Sequence, residues 1–131
     1  MRGVFLDTAT VNQQDLDLTS LISSLPDWSL RNHTPANKVA GAIEGATIVV
    51  SNKVMLSREI LQGTPSLKLI CVAATGTNNV ELDATREQGI TVCNARGYAT
   101  TSVVEHVFSV MLAFSRQSAR YQKAVQEGRW H

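Results

Sequence analysis

The groups best placed to do chemistry in this sequence belong to the backbone. In the run Ala74-Thr75-Gly76-Thr77-Asn78-Asn79, Gly76 has no Cβ to hold a ligand away from the chain. The N–H groups of Thr75, Gly76 and Thr77 precede a stretch with helical spacing. Such a row of donors suits a small carboxylate or phosphate. Lys53, in the run Ser51-Asn52-Lys53, adds one cation in a similar position. The plainer alternatives are a strand-to-helix turn that binds nothing and an ordinary solvated lysine. Other candidates carry less. Glu105 and His106 are adjacent, and neighbours on a helix do not face each other. His33 and His131 have no carboxylate or cysteine nearby in sequence, and Asp7 lacks the acidic pair of a phospho-receiver. Cys71 and Cys93 have no CxxC spacing and fall in strand-like apolar runs, so they read as core thiols of a reduced compartment. No metal-ligand spacing, nucleophile elbow, Walker loop or internal repeat occurs, so no catalytic or metal-binding residue is assigned.

The elements that must position these groups follow from periodicity. Residues 67–73 form an almost wholly apolar run that suits a strand covered on both faces, and 75–79 is its loop. Helical spacing begins at Val80, with Asn79 as N-cap and Glu81 and Asp83 in the first turn, and Gly89 ends it. Residues 90–93 resume as a β-branched strand, so the unit is β-loop-α-β with parallel strands and a right-handed crossover. Upstream, 3–6 is a strand and 7–10 its loop. Leu16, Leu18, Leu21, Ile22 and Leu25 mark one face of a helix that Pro26 closes. Residues 27–32 alternate as a strand near an edge, Thr34–Pro35 opens a helix reaching Gly45, 46–50 is a buried strand, and Ser57 caps a short helix through Gln62. Five strands alternating with four helices predict an α/β doubly wound parallel sheet, with the loops after four strands on one rim.

Composition narrows the class. The 131 residues suit one domain, and 12 Lys and Arg against 11 Asp and Glu give no field that would steer nucleic acid. A hydrophobic fraction of 44% with 18% charged is that of a soluble globular protein. Residues 1–9 hold one basic residue and too short an apolar stretch for a signal peptide, so a cytoplasmic location is expected.

The C-terminal part does not fit inside such a domain. From Val103 to about Gly128 no Pro or Gly interrupts, which predicts one helix of roughly 26 residues and ~39 Å. A compact domain of ~100 residues has a radius of gyration near ~13 Å, so that rod would overrun it. Residues 103–114 are apolar nearly all round, yet too short and interrupted to span a bilayer. Another domain or another copy of the chain must cover them. Self-association through Val103, Val107, Phe108, Met111 and Phe114 is expected.

The runs SNKV at 51–54, AATGTNNVELDATREQGITVCN at 73–94, GYATTSVVEH at 97–106 and EGRW at 127–130 together resemble the D-isomer-specific 2-hydroxyacid dehydrogenases. The likeness is to the glycerate dehydrogenase/hydroxypyruvate reductase-like branch and covers nearly the whole chain. It implies a flavodoxin-like substrate (lid) domain at 1–100 and a long linker helix at 101–131 leading to a nicotinamide-binding domain. It further implies that the backbone at Ala74, Thr75 and Gly76 holds the substrate carboxylate, with Asn52 and Lys53 on the same side. Tyr98 stands where lactate-type members carry an active-site tyrosine. Thr101 and Val104 fall where the chain passes the nicotinamide of NAD or NADP, and Thr100 replaces a proline common there.

The family's catalytic arginine, glutamate and histidine, and its GxGxxG loop, lie beyond the GRW segment. No two of the eight glycines here are two apart, so the chain carries no such loop. The expectation is the substrate-domain fragment of an NAD(P)-dependent D-2-hydroxyacid dehydrogenase, reversibly moving hydride between nicotinamide and an acid such as hydroxypyruvate or glycerate, and inactive alone. The alternative is a non-catalytic, oligomerising or small-carboxylate-binding flavodoxin-like module.

Overall fold

The computed structural model describes residues 1–13 and 15–129, which divide into two compact units, Met1–Arg96 and Gly97–His131. Trp130, the last residue of EGRW, and His131 lie outside the described residues.

In the first unit five parallel strands, β1 (Arg2–Phe5), β2 (Asp27–Leu30), β3 (Ile48–Ser51), β4 (Leu69–Val72) and β5 (Thr91–Asn94), lie in the order β2-β1-β3-β4-β5. This is the flavodoxin-like strand order. The 27–32 run is an edge strand, as its alternation predicts. Gly3 is paired with Trp28 in the sheet, and a Cβ at Gly3 would lie 2.5 Å from the Trp28 ring, so glycine is what lets that ring lie over β1.

The chain steps one way from β1 to β2 and the other way in every later crossover. Right-handed connections therefore put α1 (Thr19–Ser23) on one face and α2 (Val39–Ala42), α3 (Arg58–Gln62) and α4 (Leu82–Glu87) on the other. The register Val4–Val49–Ile70–Val92 makes a row on the three-helix face, where it joins Leu61 and Ala84 in the core. The opposite row runs Leu30–Phe5–Val50–Cys71–Cys93. Along it burial declines from Phe5 and Val50, which are buried, to Cys71, half-buried, and Cys93, exposed. The expectation of two core thiols fails at Cys93, because β5 is an edge strand and no crossover helix lies over that end of this face.

Several helices are shorter than their apolar spacing predicts. Instead of a helix over 16–25 there are five residues of α1, because side-chain oxygens compete for the backbone. Asn12 Oδ1 accepts the N–H of Asp15 and Leu16, and Asp17 Oδ1 that of Thr19, leaving Leu16 and Ile22 exposed. Thr34 does not cap a helix. Its hydroxyl donates to Leu6 O at 2.6 Å, Pro35 is extended, and a 3-10 turn at Ala36–Lys38 leads into α2. Asn79 likewise spends its side chain on Val54 O, and Glu81 takes the N-cap position of α4.

The second unit corrects the single long rod. It consists of α5 (Thr100–Ser115) and α6 (Ser118–Gln126), separated by Gln117 at φ 50°. The N–H groups of Arg116 and Gln117 return to Leu112 O and Phe114 O. The Gln117 carbonyl then accepts from Arg120 and Tyr121 to start α6. The polar run Ser115-Arg116-Gln117-Ser118 offers no apolar side chain whose burial would hold the helix straight. The left-handed residue costs about 1–2 kcal/mol. The apolar side chains of α5 are exposed, Phe114 at 80%.

Candidate carboxylate-binding rim

Because all five strands are parallel, the loops after β1, β3 and β4 emerge at one end of the sheet. Asp7, at the end of β1 and 1% exposed, organises two of them. Its carboxylate accepts the Asn52 N–H at 2.9 and 3.1 Å on its two oxygens and the Lys53 N–H at 2.6 Å. The Asn52 side chain donates to Thr10 Oγ1 at 3.0 Å, and Thr10 Oγ1 donates to Asp7 O at 2.7 Å. Backbone dipoles therefore neutralise a buried charge, and the β1 and β3 loops are fixed to one another. Sequence reasoning weighed Asp7 only as a phospho-acceptor. The available signal was a lone acid directly at the carboxyl end of an apolar strand.

Of the residues expected to line a ligand, Asn52 is buried and internally committed, whereas Lys53 is exposed. Lys53 borders a cleft of about 460 Å³ with Thr10, His33, Thr34 and Ser57, floored by Val39 and Ile60.

The β4 loop is held from its far side. Thr75 Oγ1 donates to Ala95 O at 3.0 Å, Asn94 Nδ2 donates to Thr75 O at 2.6 Å, and the Ala95 N–H donates to Ala74 O at 3.1 Å. These bonds occupy carbonyls and leave amides. The N–H groups of Ala74, Thr75, Gly76 and Thr77 meet no acceptor among the described residues, and Thr75 and Gly76 are exposed. The donors do not gain from a helix N-terminus, since α4 starts only at Leu82. Their capacity for an anion is that of consecutive loop amides. Gly76 leaves the approach open, and its nearest neighbour to a built Cβ is Asn78 Oδ1 at 3.1 Å.

Tyr98, Thr101 and Val104 belong to the second unit, where all three are exposed. Among the described residues no group of three His, Cys, Asp or Glu side chains could hold a metal. No two of the chain's eight glycines stand two apart, so its sequence holds no GxGxxG cradle for a pyrophosphate.

Residues 5–127 match the family described as D-isomer specific 2-hydroxyacid dehydrogenase, catalytic domain. A glycerate dehydrogenase of Methylorubrum extorquens is 43% identical over 94 residues, covering 72% of this chain and 30% of that protein. A hydroxypyruvate reductase of Blautia hydrogenotrophica is 30% identical over 132 residues, 99% of this chain and 41% of that one. The fold superposes on the D-lactate dehydrogenase of Aquifex aeolicus complexed with NAD and lactic acid with a TM-score of 0.74 at 23% identity, over 99% of this chain and 38% of that one. The chain thus spans between 30% and 41% of the length of these relatives.

Proposed function

The chain belongs to the D-isomer-specific 2-hydroxyacid dehydrogenases, and from that footing we propose that it supplies the substrate-binding part of an NAD(P)-dependent enzyme interconverting a 2-keto and a 2-hydroxy acid. The observation that carries this reading is the row of acceptor-free amides at Ala74–Thr77, exposed at Thr75 and Gly76, on the rim that also carries exposed Lys53. Amide donors bind a carboxylate without burying a countercharge, so the acid's C1 end would be fixed and its C2 carbon left facing outward. Lys53 would add attraction for the anion, and Asn52 would hold the loop that presents it. The glycerate dehydrogenase and hydroxypyruvate reductase relatives favour a three-carbon acid such as hydroxypyruvate or glycerate.

In this reading residues 1–100 are the substrate (lid) domain and 101–131 lead toward a nucleotide-binding domain. Tyr98 sides with the substrate, and Thr101 and Val104 side with the nicotinamide. The exposed Val103, Val107, Phe108, Met111 and Phe114 form a self-association surface in a cytoplasmic enzyme. Among the described residues no helix is long and apolar enough to cross a membrane. A second reading, a carboxylate-binding module without catalysis, rests on the same acceptor-free amides, which can hold an acid with no nucleotide present. An absorbance assay with NADH or NADPH and hydroxypyruvate or glyoxylate tests the proposal. The 131-residue chain should show no turnover alone, and robust turnover would refute its dependence on further residues. Calorimetry with glycerate tests the rim itself: both readings expect measurable binding, and silence counts against both.

A further inference from the structure

Cys71 and Cys93 are Cα partners in adjacent parallel strands, so their side chains project from the same face of the sheet. Of the first unit's helices only α1 lies on that face, at its other end, and both thiols are free. Neighbouring parallel strands lie ~4.8 Å apart, inside the ~4.4–6.8 Å Cα window of a disulfide. The Cβ atoms of a disulfide sit closer, at roughly 3.8 Å, so a bond would draw β5 inward. β5 can yield, because it is an edge strand hydrogen-bonded only to β4. One residue further along, Asn94 grips Thr75 O, so β5 is tied to the loop that carries the acceptor-free amides.

We infer that Cys71 and Cys93 are an oxidisable dithiol that closes an intramolecular disulfide when a hydroperoxide reaches the exposed face of β4 and β5. The two sulfurs have distinct parts. Cys93 is exposed and reacts first: its thiolate attacks one peroxide oxygen, the O–O bond breaks, and a sulfenic acid forms while hydroxide leaves as water. Cys71 is half-buried, and its thiol is raised above the ordinary cysteine value first by burial and then by the nearby Cys93. It resolves the intermediate, its sulfur displacing oxygen from Cys93 as a second water departs. Two thiols and one hydroperoxide thus give one disulfide, with two electrons passing to the peroxide.

Trypsin cuts after Lys68, Arg86 and Arg96, placing each cysteine in its own peptide. The reduced chain is treated with hydrogen peroxide, alkylated, and its monomer fraction digested. The expected result is peptide 69–86 joined to peptide 87–96, with loss of both alkylation sites. Oxygen adducts on Cys93 with Cys71 still alkylatable would overturn the inference, as would disulfides only between copies. In Cys71→Ser the sulfenic acid should persist and label with dimedone, and Cys93→Ser should slow peroxide consumption by at least about tenfold. The peptide map of the unsubstituted chain decides the matter even where a variant folds poorly.

Discussion

The buried carboxylate of Asp7 accepts the backbone N–H of Asn52 on both of its oxygens, at 2.9 and 3.1 Å. With the Lys53 N–H on the same group, one side chain at the end of β1 sets the course of the loop after β3. The rim is therefore shaped before any ligand arrives, and ordering of that loop need not be charged against binding.

Asp7→Asn keeps the size but removes the charge, and turns an NH₂ toward groups that are already donors. Hydrogen bonds to a charged group contribute about 1.5–3 kcal/mol each, so the variant should lose about 2–4 kcal/mol in urea unfolding. A loss under about 0.5 kcal/mol would show that the carboxylate does not hold the two loops together.

Gly3→Ala places a methyl group where the Trp28 ring now lies, and the Trp28 Nε1–H is tied to Ser24 Oγ at 3.3 Å. The ring must lift off β1. We expect a red-shifted tryptophan emission and a loss of about 1–3 kcal/mol. Unchanged emission would contradict the packing.

Arg58 bridges α3 to α4, pairing with Glu81 at 3.2 Å and with Glu87 through two nitrogens. The Arg58 hydrogen bond holds the Glu87 carboxyl below the ordinary glutamate value. A group lowered on folding contributes stability above its unfolded value, roughly pH 4.3, and loses it as pH falls through the folded one. Both groups are solvent-facing, so the effect is modest. Arg58→Ala should flatten the fall in stability on acidification below about pH 4.3, while Arg58→Lys restores part of it. Parallel acid profiles for Arg58→Ala and the unsubstituted chain would count against the bridge.

Gln117 gives a test by sign. At φ 50° a side chain is strained, so Gln117→Gly should stabilise the α5–α6 turn by about 1 kcal/mol. It should also slow exchange of the Arg120 and Tyr121 amides that donate to the Gln117 carbonyl. In one continuous helix the same change would destabilise by about 1 kcal/mol and speed that exchange.

The sheet was legible because its evidence is local and redundant. Val49, Val50, Ile70 and Val72 are buried by any arrangement that covers β3 and β4, and edge strand β2 announces itself through Asp27 and Ser29 alternating with Trp28 and Leu30. The rim followed from parallel strands alone. What apolar spacing could not convey was competition for the backbone. The side-chain oxygens of Asn12 and Asp17 shorten α1, Thr34 serves Leu6 instead of a helix, and Gln117 turns the chain without a glycine. Asn52 could be placed at the rim, but its commitment to Asp7 and Thr10 depends on contacts more than 40 residues apart in sequence. Cys93 was misjudged because its strand has one neighbour and one bare face, which are properties of the sheet and not of the run TVCN.

The function proposed for this chain requires the amides of residues 74–77 to receive a small carboxylate. Amide-resolved NMR of the ¹⁵N-labelled chain titrated with D-glycerate tests it most directly. Saturable shifts should concentrate at Ala74, Thr75, Gly76 and Thr77, weaken in Lys53→Ala and be absent in a folded Gly76→Val variant. Silent amides there up to roughly 50 mM, well past the ~1 mM range of a weak specific site, would contradict it. Shifts spread evenly over the surface would contradict it equally.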